Sequence, residues 1–281
     1  MDKQVFLDKV NEIFSENQFN YISADKALSD ELISLKMFEQ PIIGITNTNN
    51  DSFHKLKQEN IIGKHFMLPK EWLCGAETVI SLFFPFTEAI RKSNRQNMNY
   101  PSNSWMNGRI EGQYYINNFS TCLVKLLNDN GYEAVSPSLD KRFFMNTELK
   151  DNNKNPINKP YTSNWSERHV AYVCGVGTFS LSKGLITEKG IAGRLTSIIT
   201  NLKLDADKKA FSRYDENCIM CGKCIKNCPV NAISFDHGKN NELCSEFLNS
   251  ILIDHAPWYG CGKCQVSVPC EFENPNKMNL I

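Results

Sequence analysis

The opening stretch MDKQVFLDKVNEIFSENQ spaces Phe6, Val10, Ile13 and Phe14 at helical intervals among charged residues. This predicts an amphipathic helix with one apolar face. A stronger stripe runs through YYINNFSTCLVKLLNDNGY at 114–132, where Ile116, Phe119, Leu123, Leu126 and Leu127 share a face. Gly131 stands where a left-handed cap would end that helix. Two apolar runs bounded by Pro, Asn and Gly, PIIGIT at 41–46 and ETVISLFF at 77–84, read as strands. EAVSP at 133–137 reads as the next strand, and SERHVAYVC at 166–174 as a short helix that Ser166 caps and Gly175 stops. RLTSIITNLKL at 194–204 has the β-branched content of a strand. Between these elements NTELKDNNKNPINKP, 146–160, is almost without apolar residues and reads as an exposed, mobile loop.

The helix and strand signals stop near residue 210, and a cysteine-rich tail follows. The sequence therefore divides into units at 1–210 and 211–281. A length of 281 residues is enough to bury a sizeable core. Lys plus Arg balances Asp plus Glu, 31 against 31, so no global field draws the chain to nucleic acid or anionic lipid. The longest apolar run, VISLFFPF at 79–86, is too short to span a bilayer. The charged N-terminus lacks the apolar core and cleavage site of a signal peptide. The expected location is the cytoplasm. No P-loop, HExxH or GxSxG occurs, which leaves kinase and hydrolase classes without support.

Cysteine changes this picture. Eight of the eleven cysteines follow residue 217, a clustering that favours metal ligation over disulfides in a protein without export. CIMCGKCIKNCPV, 218–230, has the CxxCxxCxxxCP spacing of two-cluster ferredoxins, in which the fourth cysteine serves the other cluster. Cys218, Cys221 and Cys224 can grip one 4Fe-4S cluster, while Cys228 points away around the turn that Pro229 fixes. Structural zinc would leave Cys228-Pro unexplained. Four further ligands are then needed, and Cys244, Cys261, Cys264 and Cys270 supply that number. Cys74, Cys122 and Cys174 stand alone in apolar surroundings and read as ordinary buried thiols.

The remaining polar candidates are weaker. CGVGTFS at 174–180 lacks the third glycine of GxGxxG and does not join a strand to a helix, so Gly175 and Gly177 read as a tight turn. His169, His237 and His255 read as surface or satisfied core residues. Tyr100, Tyr114, Tyr115 and Tyr161 could supply protons, and Arg109 could pair with a phosphate or carboxylate. The aromatic-rich middle otherwise reads as core.

Taken together, ERHVAYVCGVGTFSLSKGLITEKGIAGRLTSIITNLKL and the double cysteine motif resemble the epoxyqueuosine reductase family and its relatives, the corrinoid reductive dehalogenases. LCGAETVISLFFPF and MNGRIEGQYYINNFSTCLVKLLNDNGYEA extend the resemblance over most of the chain. It implies an α+β, nitroreductase-like, corrinoid-binding domain followed by a ferredoxin-like domain with two 4Fe-4S clusters. It also implies the division of ligands: Cys218, Cys221, Cys224 and Cys270 on the first cluster, Cys228, Cys244, Cys261 and Cys264 on the second. The VPC spacing departs from the family's CP ending and makes Cys270 the least typical ligand. By the same resemblance Gly175, Gly177, Thr178 and Ser180 lie against the corrinoid. Tyr161 stands where the reductases carry an acidic residue, as in the dehalogenases' tyrosine donor, with Asp140 as the alternative. The missing acid argues for a paralogue with another substrate.

The expectation is therefore an iron-sulfur oxidoreductase in which an external low-potential donor reduces a cobalamin or related corrinoid through two clusters. The partners would be that donor and a small-molecule substrate, with no membrane and no nucleic acid. Two alternatives are an electron-transfer protein that reduces the corrinoid or other cofactor of a partner, and a flavin-dependent reductase.

Overall fold

The computed structural model describes residues 1–146 and 160–276. Four antiparallel strands make the central sheet, in the order Ile42–Asn47, Thr78–Pro85, Gly193–Thr200 and Ala134–Val135. Every residue of Thr78–Pro85 is buried, which explains why its sequence is one unbroken apolar run. Alternation along the strand sends Ile80, Leu82 and Phe84 to one core and Val79 and Phe83 to the other. The register places Ile80 opposite both Ile45 and Ile198.

On the first face, helix Lys3–Glu16 buries Phe6, Val10 and Phe14, with Asp2 accepting the Val5 N–H at its start. The long helix spans Asn103–Asp129, beginning well before the stripe that reveals it. Its first turns bury Ser104, Asn107, Gly108 and Gly112, small or polar residues that leave no hydrophobic periodicity. Gly112 is small because Phe38 lies over it: a Cβ there would be 2.7 Å from Phe38 Cζ. The helix ends as its sequence requires. Gly131 has φ +81°, its N–H bonds to Asn128 O at 3.0 Å, and the Tyr132 N–H reaches Leu127 O at 3.0 Å.

On the second face, helix Glu167–Val173 packs Val170, Ala171 and Val173 against the sheet beside Phe53, Phe66, Trp72 and Trp165. Gly175, at φ +80°, caps this helix. CGVGTFS is not only a turn, however. Its residues Gly177–Phe179 form a strand paired with Leu185–Thr187 in a hairpin that precedes the sheet strand Gly193–Thr200. EAVSP gives just two paired residues, because Pro137 has no N–H for a ladder and starts a single helical turn. The polar stretch at 146–160 lies outside the described residues except at its two ends. Among the described residues, no helix is long and apolar enough to cross a membrane.

Phe84 is fully buried and touches the rings of Phe14, Phe38, Tyr115 and Phe119. Replacing it with Ala should cost about 3–5 kcal/mol, read as a lower midpoint in denaturant unfolding with an unchanged slope.

Candidate iron-sulfur centres

The tetrapeptide CGKC occurs twice, at Cys221–Cys224 and Cys261–Cys264, and folds the same way both times. Gly222 (φ +70°) and Gly262 (φ +66°) turn the chain into a short helical turn, at Lys223–Lys226 and Lys263–Gln265. At Gly262 the need for glycine is also steric, since a Cβ would fall 1.9 Å from Trp105 Cζ2.

The eight tail cysteines are gathered on two cavities. Cys228, Cys244, Cys261 and Cys264 line one of about 130 Å³. Cys218, Cys221, Cys224 and Cys270 line a smaller one, whose wall Cys264 shares. The larger is well below the roughly 300–1,000 Å³ of a pocket for an organic ligand. Thiols so placed resist ionisation: burial, then the backbone-assisted but crowded neighbourhood of Cys264 and Cys244, pushes Cys261 up to about 12. Burial followed by Cys264, Cys218 and Cys221 pushes Cys224 up to about 11. Burial and then Cys218, Cys221 and Cys224 raise Cys270 further. A bound cation reverses this cost by deprotonating the thiols outright. Among the described residues no three His, Cys, Asp or Glu side chains converge on a single ion. One zinc at about 2.3 Å from each sulfur would demand such convergence, whereas a cube takes its thiolates at separate corners. The residues present fit iron-sulfur clusters.

The segment carrying Cys270 is fastened to the first unit. Glu271 is almost fully buried and accepts from Arg91 at 3.3 Å, Arg95 Nε at 3.0 Å and the Ser267 N–H at 2.7 Å. The carbonyls of Cys270 and Glu271 accept from the N–H groups of Ile191 and Ala192 at 2.8 and 3.2 Å. The larger cavity is closed from the same side by Phe86, Trp105, Arg109, Gly193 and Arg194. Lys263 is fully buried, with Nζ donating to Asn94 O and Oδ1 at 2.7 Å, and burial pulls it down to about 8.

The residues assigned to a corrinoid have other tasks. A Cβ on Gly177 would lie 2.3 Å from Ile186 O, across the hairpin. Thr178 is fully buried and its hydroxyl accepts the Asn217 N–H at 2.8 Å. Gly175 is the helix cap, and Ser180 lines the smaller cysteine cavity. Gly177 and Thr178 are buried, while Gly175 and Ser180 are half-buried. Arg168 is exposed to solvent, with neighbouring groups that lower its pKa and Cys264 near enough to oppose that shift. Its Nη1 donates to Lys183 O at 2.7 Å.

Of the two proton-donor candidates, Asp140 is paired with Arg142. Arg142 grips both carboxylate oxygens at 2.8 Å and holds the group down to about 2, so it carries no proton at neutral pH. Tyr161 is half-buried with φ +57°, a conformation side-chain-bearing residues rarely adopt. Glu167 was not evident from sequence. Neither of its oxygens has a hydrogen-bond partner in good geometry, and burial, only partly offset by Ser197, raises it to about 7. Nothing in the pattern SERH distinguishes it from a solvated first-turn acid.

Among the other candidates, Tyr115 is core, Tyr114 is exposed, Tyr100 donates to Asp254 at 3.5 Å and His169 bonds Ser166 Oγ at 2.8 Å. Cys174 is buried as expected, but Cys74, in a turn, is exposed, and Cys122, on the long helix, is half-exposed.

Residues 213–234 match the 4Fe-4S binding domain family. No curated protein matches the chain in sequence. In three dimensions it is similar to an epoxyqueuosine reductase bound to an epoxyqueuosine-modified tRNA-Tyr stem loop, at 16% identity and TM-score 0.54, covering 96% of this chain and 65% of that one. It is similar to epoxyqueuosine reductase from Streptococcus thermophilus, at 17% identity and TM-score 0.50, covering 98% and 68%. A reductive dehalogenase whose structure bears on B12-dependent dehalogenation is similar at 13% identity and TM-score 0.53, covering 84% and 31%. What is shared at these identities is the fold, which is the α+β fold that the resemblance implied. The chain spans about two thirds of the reductases' length and less than a third of the dehalogenase's.

Two outcomes follow from the geometry. Glu271→Gln leaves Arg91 and Arg95 without their carboxylate, and should cost about 3 kcal/mol while iron analysis shows selective loss of the cluster that Cys270 completes. Folded Glu167 keeps its proton to about pH 7 against an ordinary 4.5, so between these values the unfolded chain binds fewer protons and stability falls as pH rises, by on the order of 3 kcal/mol in all. Thermal melts of Glu167→Gln across pH 4.5–8 should lack this decline.

Proposed function

We propose that the chain is a cytoplasmic oxidoreductase that accepts low-potential electrons from an external donor and passes them through two 4Fe-4S clusters toward its first unit, for a corrinoid-dependent reduction of a small molecule. The observation that carries this reading is the larger cysteine cavity. Four cysteines of the tail make one side of it, while Phe86, Trp105, Arg109, Gly193 and Arg194 of the first unit make the other. A cluster there has the first unit as its direct neighbour, and Cys264, on the wall of both cavities, joins it to the other cluster.

The fold shared with epoxyqueuosine reductases and a reductive dehalogenase supports the choice of reaction class. A corrinoid, when bound, would supply electron transfer through its cobalt. Arg168, exposed and held in place by the Lys183 carbonyl, would meet its polar groups. Glu167, raised to about 7 by burial, could hold a proton for such a reduction, and Tyr161 is the other candidate donor. The closed packing of Gly177 and Thr178 favours, as the second reading, a protein that reduces the corrinoid of a partner. An acidic or neutral small molecule suits the balanced overall charge better than a nucleic acid.

Anaerobic reconstitution should give about eight irons per chain, with Cys221→Ser and Cys228→Ser damaging different clusters. Hydroxocobalamin added to this protein should bind at micromolar concentration with a changed visible spectrum, and Arg168→Ala should weaken it. Loss of both signals without cobalamin binding would leave the partner-reducing reading. Tight flavin binding in its place would overturn the corrinoid.

A further inference from the structure

The two cysteine cavities have electrically unlike walls. Beside its cysteines the smaller is lined by Ser180, Leu181, Ile186, Met220, Val268 and Pro269 among other uncharged residues, and no described charged side chain faces it. The larger is lined by Arg109, Arg194, Lys239 and Lys263, and by no described carboxylate. Two of these cations cannot turn elsewhere. Arg109 lies over the Tyr259 ring at 4.1 Å, and Arg194 donates to Gln113. The Nε of each is buried without an acceptor, and the two guanidiniums are near enough to repel one another. Like charges removed from water are costly unless an anion faces them. A cube held by four thiolates is such an anion, and becomes more so when reduced.

We propose that Arg109 and Arg194 hold the reduction potential of the cluster gripped by Cys228, Cys244, Cys261 and Cys264 above that of the cluster in the uncharged cavity. Electrons then run downhill from the smaller cavity to the seam with the central sheet. The inference rests on the two-cluster reading above. Local net charge is one of the quantities that set a cluster's potential, and positive charge favours the form carrying the extra electron. The exchange balances simply: one electron leaves the first cluster as one enters the second, and no proton moves. Arg109 and Arg194 are positioning residues in this scheme, acting on the electron through the cluster beside them.

The test is a potentiometric titration of the anaerobic holoprotein followed by paramagnetic resonance, with Cys221→Ser and Cys228→Ser assigning the signals. Two midpoints should appear, at least tenfold apart in reduction equilibrium, which is 59 mV for one electron. The higher should be the one that Cys228→Ser removes. Arg109→Gln and Arg194→Gln should each lower that midpoint by about tenfold and leave the other alone, while Arg194→Lys keeps most of it. Lys125→Gln, on an exposed stretch of the long helix, should move neither. The proposal is overturned if the wild-type midpoints coincide or lie in the reverse order, a comparison that needs no arginine variant to fold. It is equally overturned if iron-replete arginine variants shift neither cluster, or both alike. An iron content near four would instead overturn the two-cluster reading itself.

Discussion

Glu271 is the buried group that fastens the cysteine region to helix Glu88–Arg95. One carboxylate, nearly out of contact with water, takes two arginines from helix Glu88–Arg95 and a backbone N–H from the cysteine region. Burying it would be prohibitive with fewer donors. With them, the last cysteine, the segment leading into Gly193 and helix Glu88–Arg95 are held together. Gly190 belongs to this join as well, because the backbone of Glu271 and Phe272 passes where its side chain would be. Cys270, the ligand with the least usual sequence context, is therefore among the most firmly held.

The balanced formal charge of the chain conceals a division of electrostatic labour. The sheet and its two cores are apolar, and their few buried polar groups are mostly matched locally, as in the Trp165–Ser197 and Ser120–Thr196 pairs. Among the described residues, two places that depart from this matching are the cationic wall of the larger cavity and the carboxyl of Glu167, whose oxygens have no hydrogen-bond partner. Each is expensive for folding alone. Both lie where electrons or protons would have to be handled, which is the distribution expected when the cost is met by bound groups and by chemistry.

Much of this was legible in the sequence because it follows from local rules. Gly131 and Gly175 announced the ends of their helices, and the strand at 77–84 announced its burial by having no polar face. The eight cysteines announced two clusters through spacing alone. The start of the long helix was hidden by Ser104, Asn107, Gly108 and Gly112, which pack by being small. The strand at Gly177–Phe179 was hidden for a related reason: small residues fit a turn as well as a hairpin, and only the neighbour across the strand decides. Arg194 and Glu167 had no sequence signature, since what sets them apart is the absence of partners brought together from distant segments.

The larger cavity also has a consequence for how the protein is made. Its floor comes from the tail and its roof from Phe86, Trp105 and Arg109, residues synthesised far earlier. Trp105 is pressed onto the Cys261–Gly262 loop so closely that no side chain fits there. The cavity is therefore completed only once the chain as far as Gln265 has been synthesised and has packed against those earlier residues.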